Sequence, residues 1–444
     1  MCTPYERPGV PMARTADPAD IDLTPFVRAG DAVMWGQAAG EPLVLTRALL
    51  QQRERLGPVE VFIGATWSDS ADPAFADHVR FRSYCGAGQN RRLAQAGVLD
   101  ILPCPYSQLP ALIRSGQLRV DVLMLQLAPA NAEGRFSLSL AHEYLVPALD
   151  VARVVLAEVN EQAPWTYGTR TISAEDIDLI VHTSRPPLTP PAARSSALEQ
   201  AVAVRAAAVI EDGATLQCGL GSLPAAILMQ LTDRRDLGVH TGAWVDPMAT
   251  LAQMGVITNA RKSIDPGTSI AGVIMGGSTA CNHAHLNSTV GFRPVEYTHS
   301  ASVLASIRSF VAINSALEVD LSGQINAEVA GGVYLGAVGG AGDFLRGARV
   351  SQGGLPIVAL PSVGGSGERL FSRIVAQLSG PVSTSRSDAA IIVTEHGVAD
   401  LRALSLSERR EQMLAIAEPA FREALALADQ SRNPPSTATR APVM

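Results

Sequence analysis

Lysine is almost missing from this chain: Lys262 stands alone, and every other basic side chain that is not histidine is arginine. An exclusion so uniform reads as coding bias rather than selection for two-pronged phosphate contacts, which would not remove lysine everywhere else. Cysteine is scarce too. Five are present (Cys2, Cys85, Cys104, Cys218, Cys281), odd in number and never in a C-x-x-C spacing, so neither a disulfide framework nor a zinc site is expected. No apolar run approaches the ~18 residues of a membrane span, and the first residues, Met-Cys-Thr-Pro-Tyr-Glu-Arg-Pro, lack a basic-then-apolar signal. A cytoplasmic location is therefore expected. Positive charge is in deficit as well: a net charge of −7 argues against nucleic acid or an anionic membrane as partner. What remains is an ordinary globular balance, 47% hydrophobic and 17% charged, and 444 residues suffice for two or three domains with sizeable cores.

Proline marks the main division. Arg185-Pro-Pro-Leu-Thr-Pro-Pro191 packs four prolines into six residues, which forbids helix and interrupts any strand ladder. Residues 185–194 thus read as a linker between domains at 21–184 and 195–428, with mobile ends expected at 1–20 and 429–444, where Pro, Ser, Arg and Asp recur without periodicity. Short β-rich runs at 59–63, 120–126 and 151–158 alternate with helical patterns at 42–53 and 106–115. Beyond the linker, a helix over 197–210 is followed by apolar runs at 303–313, 357–360 and 389–394. Buried strands alternating with helices indicate an α/β fold with mainly parallel sheets.

The halves share a local pattern. Ala32-Val-Met-Trp-Gly-Gln-Ala-Ala-Gly-Glu-Pro42 and Ala214-Thr-Leu-Gln-Cys-Gly-Leu-Gly-Ser-Leu-Pro224 each run from strand through a glycine turn to a proline that opens a helix. Two related α/β domains facing a cleft are expected. The turn Cys218-Gly-Leu-Gly-Ser-Leu-Pro224 aims backbone N–H groups at whatever lies above a helix start, which suits a phosphate or a carbonyl oxygen gaining charge. Gly336-Ala-Val-Gly-Gly340-Ala-Gly-Asp-Phe344 and Gly364-Gly-Ser-Gly-Glu-Arg369 are further glycine-rich turns, so several backbone segments converge on an extended ligand.

Asp320-Leu-Ser-Gly-Gln-Ile-Asn-Ala-Glu328, Val338-Gly-Gly-Ala-Gly-Asp-Phe-Leu-Arg-Gly347, Ser372-Arg-Ile-Val375, Thr384-Ser-Arg-Ser-Asp388 and Val393-Thr-Glu-His-Gly397 together resemble the acetyl-CoA hydrolase/transferase family. The likeness runs from about residue 22 to 427 and includes Ala157-Glu-Val-Asn160 and Pro164-Trp-Thr-Tyr-Gly168 in the first half. It implies two open α/β domains of CoA-transferase type around a central cleft, and a homo-oligomer. Coenzyme A or an acyl-CoA enters as substrate rather than as a permanently bound cofactor. It also implies that Gly219, Leu220, Gly221, Ser222, Leu223, Gly339 and Gly340 contact the CoA, and that a glutamate carboxylate attacks the acyl carbonyl in a ping-pong reaction.

Where that glutamate belongs, the segment His240-Thr241-Gly242 carries glycine. Glu328 and Glu395 fall where the family also has glutamate, so they are expected to support the cleft rather than replace the nucleophile. A second departure, Cys281-Asn-His283-Ala-His285, could pair a thiol with an imidazole, since an adjacent imidazole lowers a thiol pKa. The same residues could hold a metal, but no further ligand lies at a recognisable spacing, and no metal site is expected. His240 is a candidate acid, base or oxyanion donor. Three readings follow: an enzyme that hydrolyses, transfers or cleaves the acyl group of a CoA thioester without a glutamyl-CoA intermediate, taking water or a small acceptor; a CoA-transferase with a substitute nucleophile such as Cys281; or an inactive CoA-binding partner.

Overall fold

Val122–Leu127 and Val154–Asn160 are almost wholly apolar and buried at every position, so each must lie inside a sheet covered on both faces. In the computed structural model, which describes residues 13–191, 194–388 and 390–432, they are central strands of an eight-stranded sheet. Its order is Arg14–Ala16, Leu179–Thr183, Val154–Asn160, Val122–Leu127, Ala32–Trp35, Val59–Phe62, Val79–Ser83 and Leu99–Ile101, all parallel. The second half builds a six-stranded sheet in the order Gly238–Val239, Thr215–Cys218, Phe310–Ser315, Leu355–Ala359, Ile391–Thr394 and Gly397–Asp400, parallel except for the last pair. The expected α/β architecture is present in both halves. Among the described residues no helix is long and apolar enough to cross a membrane.

The helices sit close to where periodicity puts them, at Leu43–Gln51, Leu109–Arg114 and Ala197–Ala208. The last begins at a reciprocal cap, with the Ser196 N–H donating to Glu199 and the Glu199 N–H donating back to Ser196 Oγ. Apolar runs were harder to divide. Val151 closes the helix Leu145–Val151 and the strand starts only at Val154, while residues 301–313 split into the helix Ala301–Ser306 and the start of the strand Phe310–Ser315. A short buried run has the same composition in either state. The terminal expectations change in part. Arg14–Ala16 is an edge strand paired with residues 179–181, and the helix Arg422–Arg432 runs past residue 428. Residues 1–12 and 433–444 lie outside the described residues.

Residues 185–191 carry no regular structure, yet the start of this stretch is tied down: Arg185 Nε donates to buried Glu158 at 2.7 Å and Nη2 to the Glu41 carbonyl at 3.0 Å, while residues 192–193 of the expected linker lie outside the described residues. Backbone contacts join the halves. Tyr167–Gly168 pairs with the strand Val290–Phe292, the Gly86 N–H donates to Gly336 at 2.8 Å, and the Tyr106 N–H donates to Gly339 at 3.0 Å. The glycine-rich turn of the second half is therefore bonded directly to loops that end strands of the first.

Candidate active site

The two strand-to-helix turns singled out by their shared pattern face the same space. Gln37 follows the strand Ala32–Trp35, and Gly219 and Leu220 follow the strand Thr215–Cys218; all three line a cavity of about 270 Å³ between the halves. Gly339 and Gly340, from the turn that opens the helix Ala341–Val350, line it too. Ligands of open parallel sheets collect at this carboxyl end of the strands. Gly221, at φ +122°, caps the helix Ser222–Met229 in a conformation that L side chains rarely adopt. Ser222 donates to Glu199 at 2.6 Å, and Leu223 is buried in the core, so the wall itself is formed by Gly219 and Leu220.

A carboxyl group that sequence reasoning missed lies in this cavity. Glu143 precedes the helix Leu145–Val151 and is 2% exposed. Tyr106 donates its hydroxyl to Glu143 Oε2 at 2.6 Å, and Gln37 Nε2 donates to both carboxyl oxygens at 2.9 Å. Tyr84 in turn donates to Gln37 Oε1 at 2.7 Å, fixing the amide's orientation. Gly64 makes room for it: a Cβ there would stand 2.5 Å from Gln37 Cβ. Burial lifts the Glu143 carboxyl to about 7, against the hydrogen bonds of Tyr106 and Gln37, which favour the anion. The group is poised to exchange a proton near neutrality.

Gly242 lines the same cavity and is linked to Glu143 through one residue. Gly272 N–H donates to the Gly242 carbonyl at 2.9 Å, and the Gly272 carbonyl accepts from the Glu143 N–H at 3.3 Å. The space beside Gly242 is taken by His299: a Cβ on Gly242 would stand 3.1 Å from its Cε1 and 3.4 Å from its Nε2. That ring packs at 4.4 Å from Phe344 and 5.0 Å from Tyr106, centroid to centroid, and Nδ1 is 2.8 Å from Thr298 Oγ1. Burial drives it down to about 3, so it stays neutral. Gly340 permits the arrangement, since a Cβ there would meet His299 Nε2 at 2.5 Å.

Other sequence candidates lie elsewhere. His240 is fully buried two residues before Gly242, with Nε2 3.1 Å from the Thr298 carbonyl and its ring against Tyr297 and Phe310, and it is absent from the cavity wall. Cys281 and His283 lie on the helix Ser278–Ala284. Cys281 packs on the core of the second half, and burial, with Asp246 nearby, pushes its thiol up to about 12, opposite to what a reactive thiolate needs. His283 stacks on Trp244 at 5.6 Å, and His285 accepts the Trp165 N–H at 3.0 Å. The structure thus does not bring thiol and imidazole together as a pair. Glu328 accepts from Tyr334 and Ser383, and Glu395 from Ser362, both supporting loops. Glu395, His396 and Glu418 do gather within 4.8 Å, but His396 is already bonded to Glu418 and none of the three lines the cavity. Lys262 spends its ammonium on the carbonyls of Val239 and Thr268, at 2.9 and 2.6 Å, bracing the strand that leads to Gly242.

Comparison with known proteins accords with this geometry. The N-terminal domain of the acetyl-CoA hydrolase/transferase family matches residues 19–188 and its C-terminal domain residues 276–428. A 4-hydroxybutyrate coenzyme A transferase of Clostridium kluyveri is 34% identical, the alignment covering 88% of this chain and 92% of that one. Among solved structures, RipA from Yersinia pestis superposes with a TM-score of 0.89 at 29% identity, covering 95% of this chain and 98% of its own. A 4-hydroxybutyrate CoA-transferase from Porphyromonas gingivalis does so with a TM-score of 0.79 at 31% identity, over 94% and 98%. The chain belongs to the acetyl-CoA hydrolase/transferase family.

Proposed function

We propose that this protein acts on a CoA thioester without forming a glutamyl-CoA intermediate at position 242, through hydrolysis, transfer to another acceptor or cleavage of the acyl group. The observation that carries this reading is the wall of the cavity. Gly219, Leu220, Gly339 and Gly340, the turns expected to hold CoA, surround it together with Gly242, and a neutral histidine ring stands in tight contact with the place where a side chain at 242 would begin. The thioester carbonyl would lie over Gly242, open to attack by a second reactant. Coenzyme A arrives and leaves as part of the substrate, and no metal enters the reading.

The names of the relatives favour a second reading, CoA transfer between an acyl-CoA and a carboxylic acid with a substitute nucleophile. Purified protein incubated with a panel of acyl-CoAs, with and without acetate, separates the two by mass spectrometry of thioesters and free CoA. Free CoA or lost acyl carbon without acetate supports the first reading. New thioesters formed only with acetate support the second. Binding of CoA with no turnover would sink both and leave an inactive CoA-binding partner. Cys281→Ala is expected to keep turnover within about twofold, because a buried, protonated thiol is a poor nucleophile; its loss of all turnover at unchanged melting temperature would return Cys281 to the site.

A further inference from the structure

We infer that Glu143 is the general base of a hydrolytic reaction in this cavity, and that the thioesters it serves carry small uncharged acyl groups. The inference rests on the reading that the thioester carbonyl lies over Gly242. Three observations carry it. First, the carboxyl group and Gly242 line one cavity from opposite halves of the chain, with only Gly272 between them: a Cβ built on Gly272 would stand 3.1 Å from the Gly242 carbonyl oxygen and 3.5 Å from Glu143 Cβ. Second, the carboxyl is built into place. Tyr106, Gln37 and, behind them, Tyr84 hold it by hydrogen bonds, and Gln37, Tyr84 and Tyr106 all come from the ends of first-half strands or the segments that follow them. A purely structural role would leave unexplained why the group faces a cavity that otherwise offers no carboxylate. Third, no arginine or lysine among the described residues lines that cavity. A dicarboxylic acyl group would bring a second negative charge beside Glu143 with nothing to pair it.

The step balances without any further reactant. The Glu143 carboxylate takes a proton from water as the water oxygen bonds to the thioester carbon and the carbonyl π pair moves to oxygen. Collapse restores the C=O bond and breaks C–S. The departing CoA thiolate takes the proton held on Glu143, which leaves a carboxylic acid, CoA thiol and the regenerated carboxylate. Tyr106 and Gln37 are positioning residues here, since they act by orienting the carboxyl oxygens.

The test follows free CoA released from acetyl-CoA, butyryl-CoA and succinyl-CoA, without acceptor, by the intact wild type and by Glu143→Gln and Tyr106→Phe, across pH. The wild type is expected to hydrolyse the two monocarboxylic thioesters at least about tenfold faster than succinyl-CoA, a pocket discrimination of ordinary size. Its rate should rise with pH through about 7, where Glu143 loses its proton. Glu143→Gln should lose about 100-fold or more, the usual worth of a positioned base, and lose that rise while still binding CoA. Tyr106→Phe keeps the carboxyl but removes a donor to its anion, so its pH limb should move upward. This second variant tests the idea even if Glu143→Gln folds poorly. Wild-type turnover retained in Glu143→Gln, an unmoved limb in Tyr106→Phe, or a CoA adduct trapped on Glu143 would each overturn the assignment of a base. Preference for succinyl-CoA would overturn the substrate class. A wild type that releases no CoA from the three thioesters would overturn the hydrolytic base, and the reading beneath it falls only if added acceptors also leave every thioester unconsumed.

Discussion

Gly242→Glu alone is expected to yield little CoA-transferase activity, whereas Gly242→Glu combined with His299→Ala should transfer CoA from acyl-CoA to acetate about tenfold faster or more. The reason is steric. A Cβ at 242 would sit 3.1 Å from His299 Cε1, a tight contact that the ring must yield to by a few tenths of an ångström, and the ring is held between Phe344, Tyr106 and Thr298 Oγ1. A glutamate introduced there begins under compression, and the shift that relieves it is expected to displace the carboxylate from the place where the thioester carbon would sit. Misplacing a reacting group by about 1 Å costs on the order of 100-fold. Removing the imidazole returns the space. New thioester formation with acetate, followed by mass spectrometry for both variants, decides the matter. Equal activity in the single and double variants would show that His299 does not control position 242.

The second large effect concerns stability. Glu143 has its carboxyl raised from the ordinary 4.5 to about 7 by burial. Below pH 4.5 both folded and unfolded chains hold the proton and the group costs nothing by ionisation. Between 4.5 and 7 the unfolded chain gives up the proton while the folded one keeps it, so stability falls as pH rises, and the loss is complete above about 7. Raising the carboxyl from 4.5 to about 7 corresponds to about 3 kcal/mol. Glu143→Gln, which keeps the shape and cannot ionise, should therefore gain on the wild type as pH rises: little or no advantage at pH 4, up to about 3 kcal/mol at pH 8, less whatever its amide loses in hydrogen bonding. Denaturant melts of both proteins at the two pH values measure the difference. A stability gap that does not change with pH would mean that the carboxyl is not raised, and would weaken the case for it as a base near neutrality.

Much of the scaffold was legible because it depends on local rules. Runs such as Val122–Leu127 are too apolar for any place but a doubly covered strand, and Pro-Pro twice within residues 186–191 leaves the chain no regular structure. The glycine turns were legible for the same reason, and Gly219, Leu220, Gly339 and Gly340 line the cavity. Cys281 and His283 misled because closeness in sequence was read as closeness in space. On the helix Ser278–Ala284 they are two residues apart, a spacing that does not make side chains face each other, and both pack on the core of the second half, His283 by stacking on Trp244. Glu143 and His299 carried no signal of their own. Each is an ordinary residue beside a short helix, and only pairing with Gln37, Tyr106, Gly272 and Phe344, up to about 190 residues away in the chain, makes either one part of a site.

The sequence by itself determined the fold class and the family, since these rest on periodicity, backbone restriction and motifs read along one strand of text. Tertiary structure alone decided what fills the place beside Gly242 and which carboxyl group shares its cavity. Those depend on side chains from both halves converging at the ends of two sheets, where burial sets the protonation of Glu143 and packing sets the position of His299.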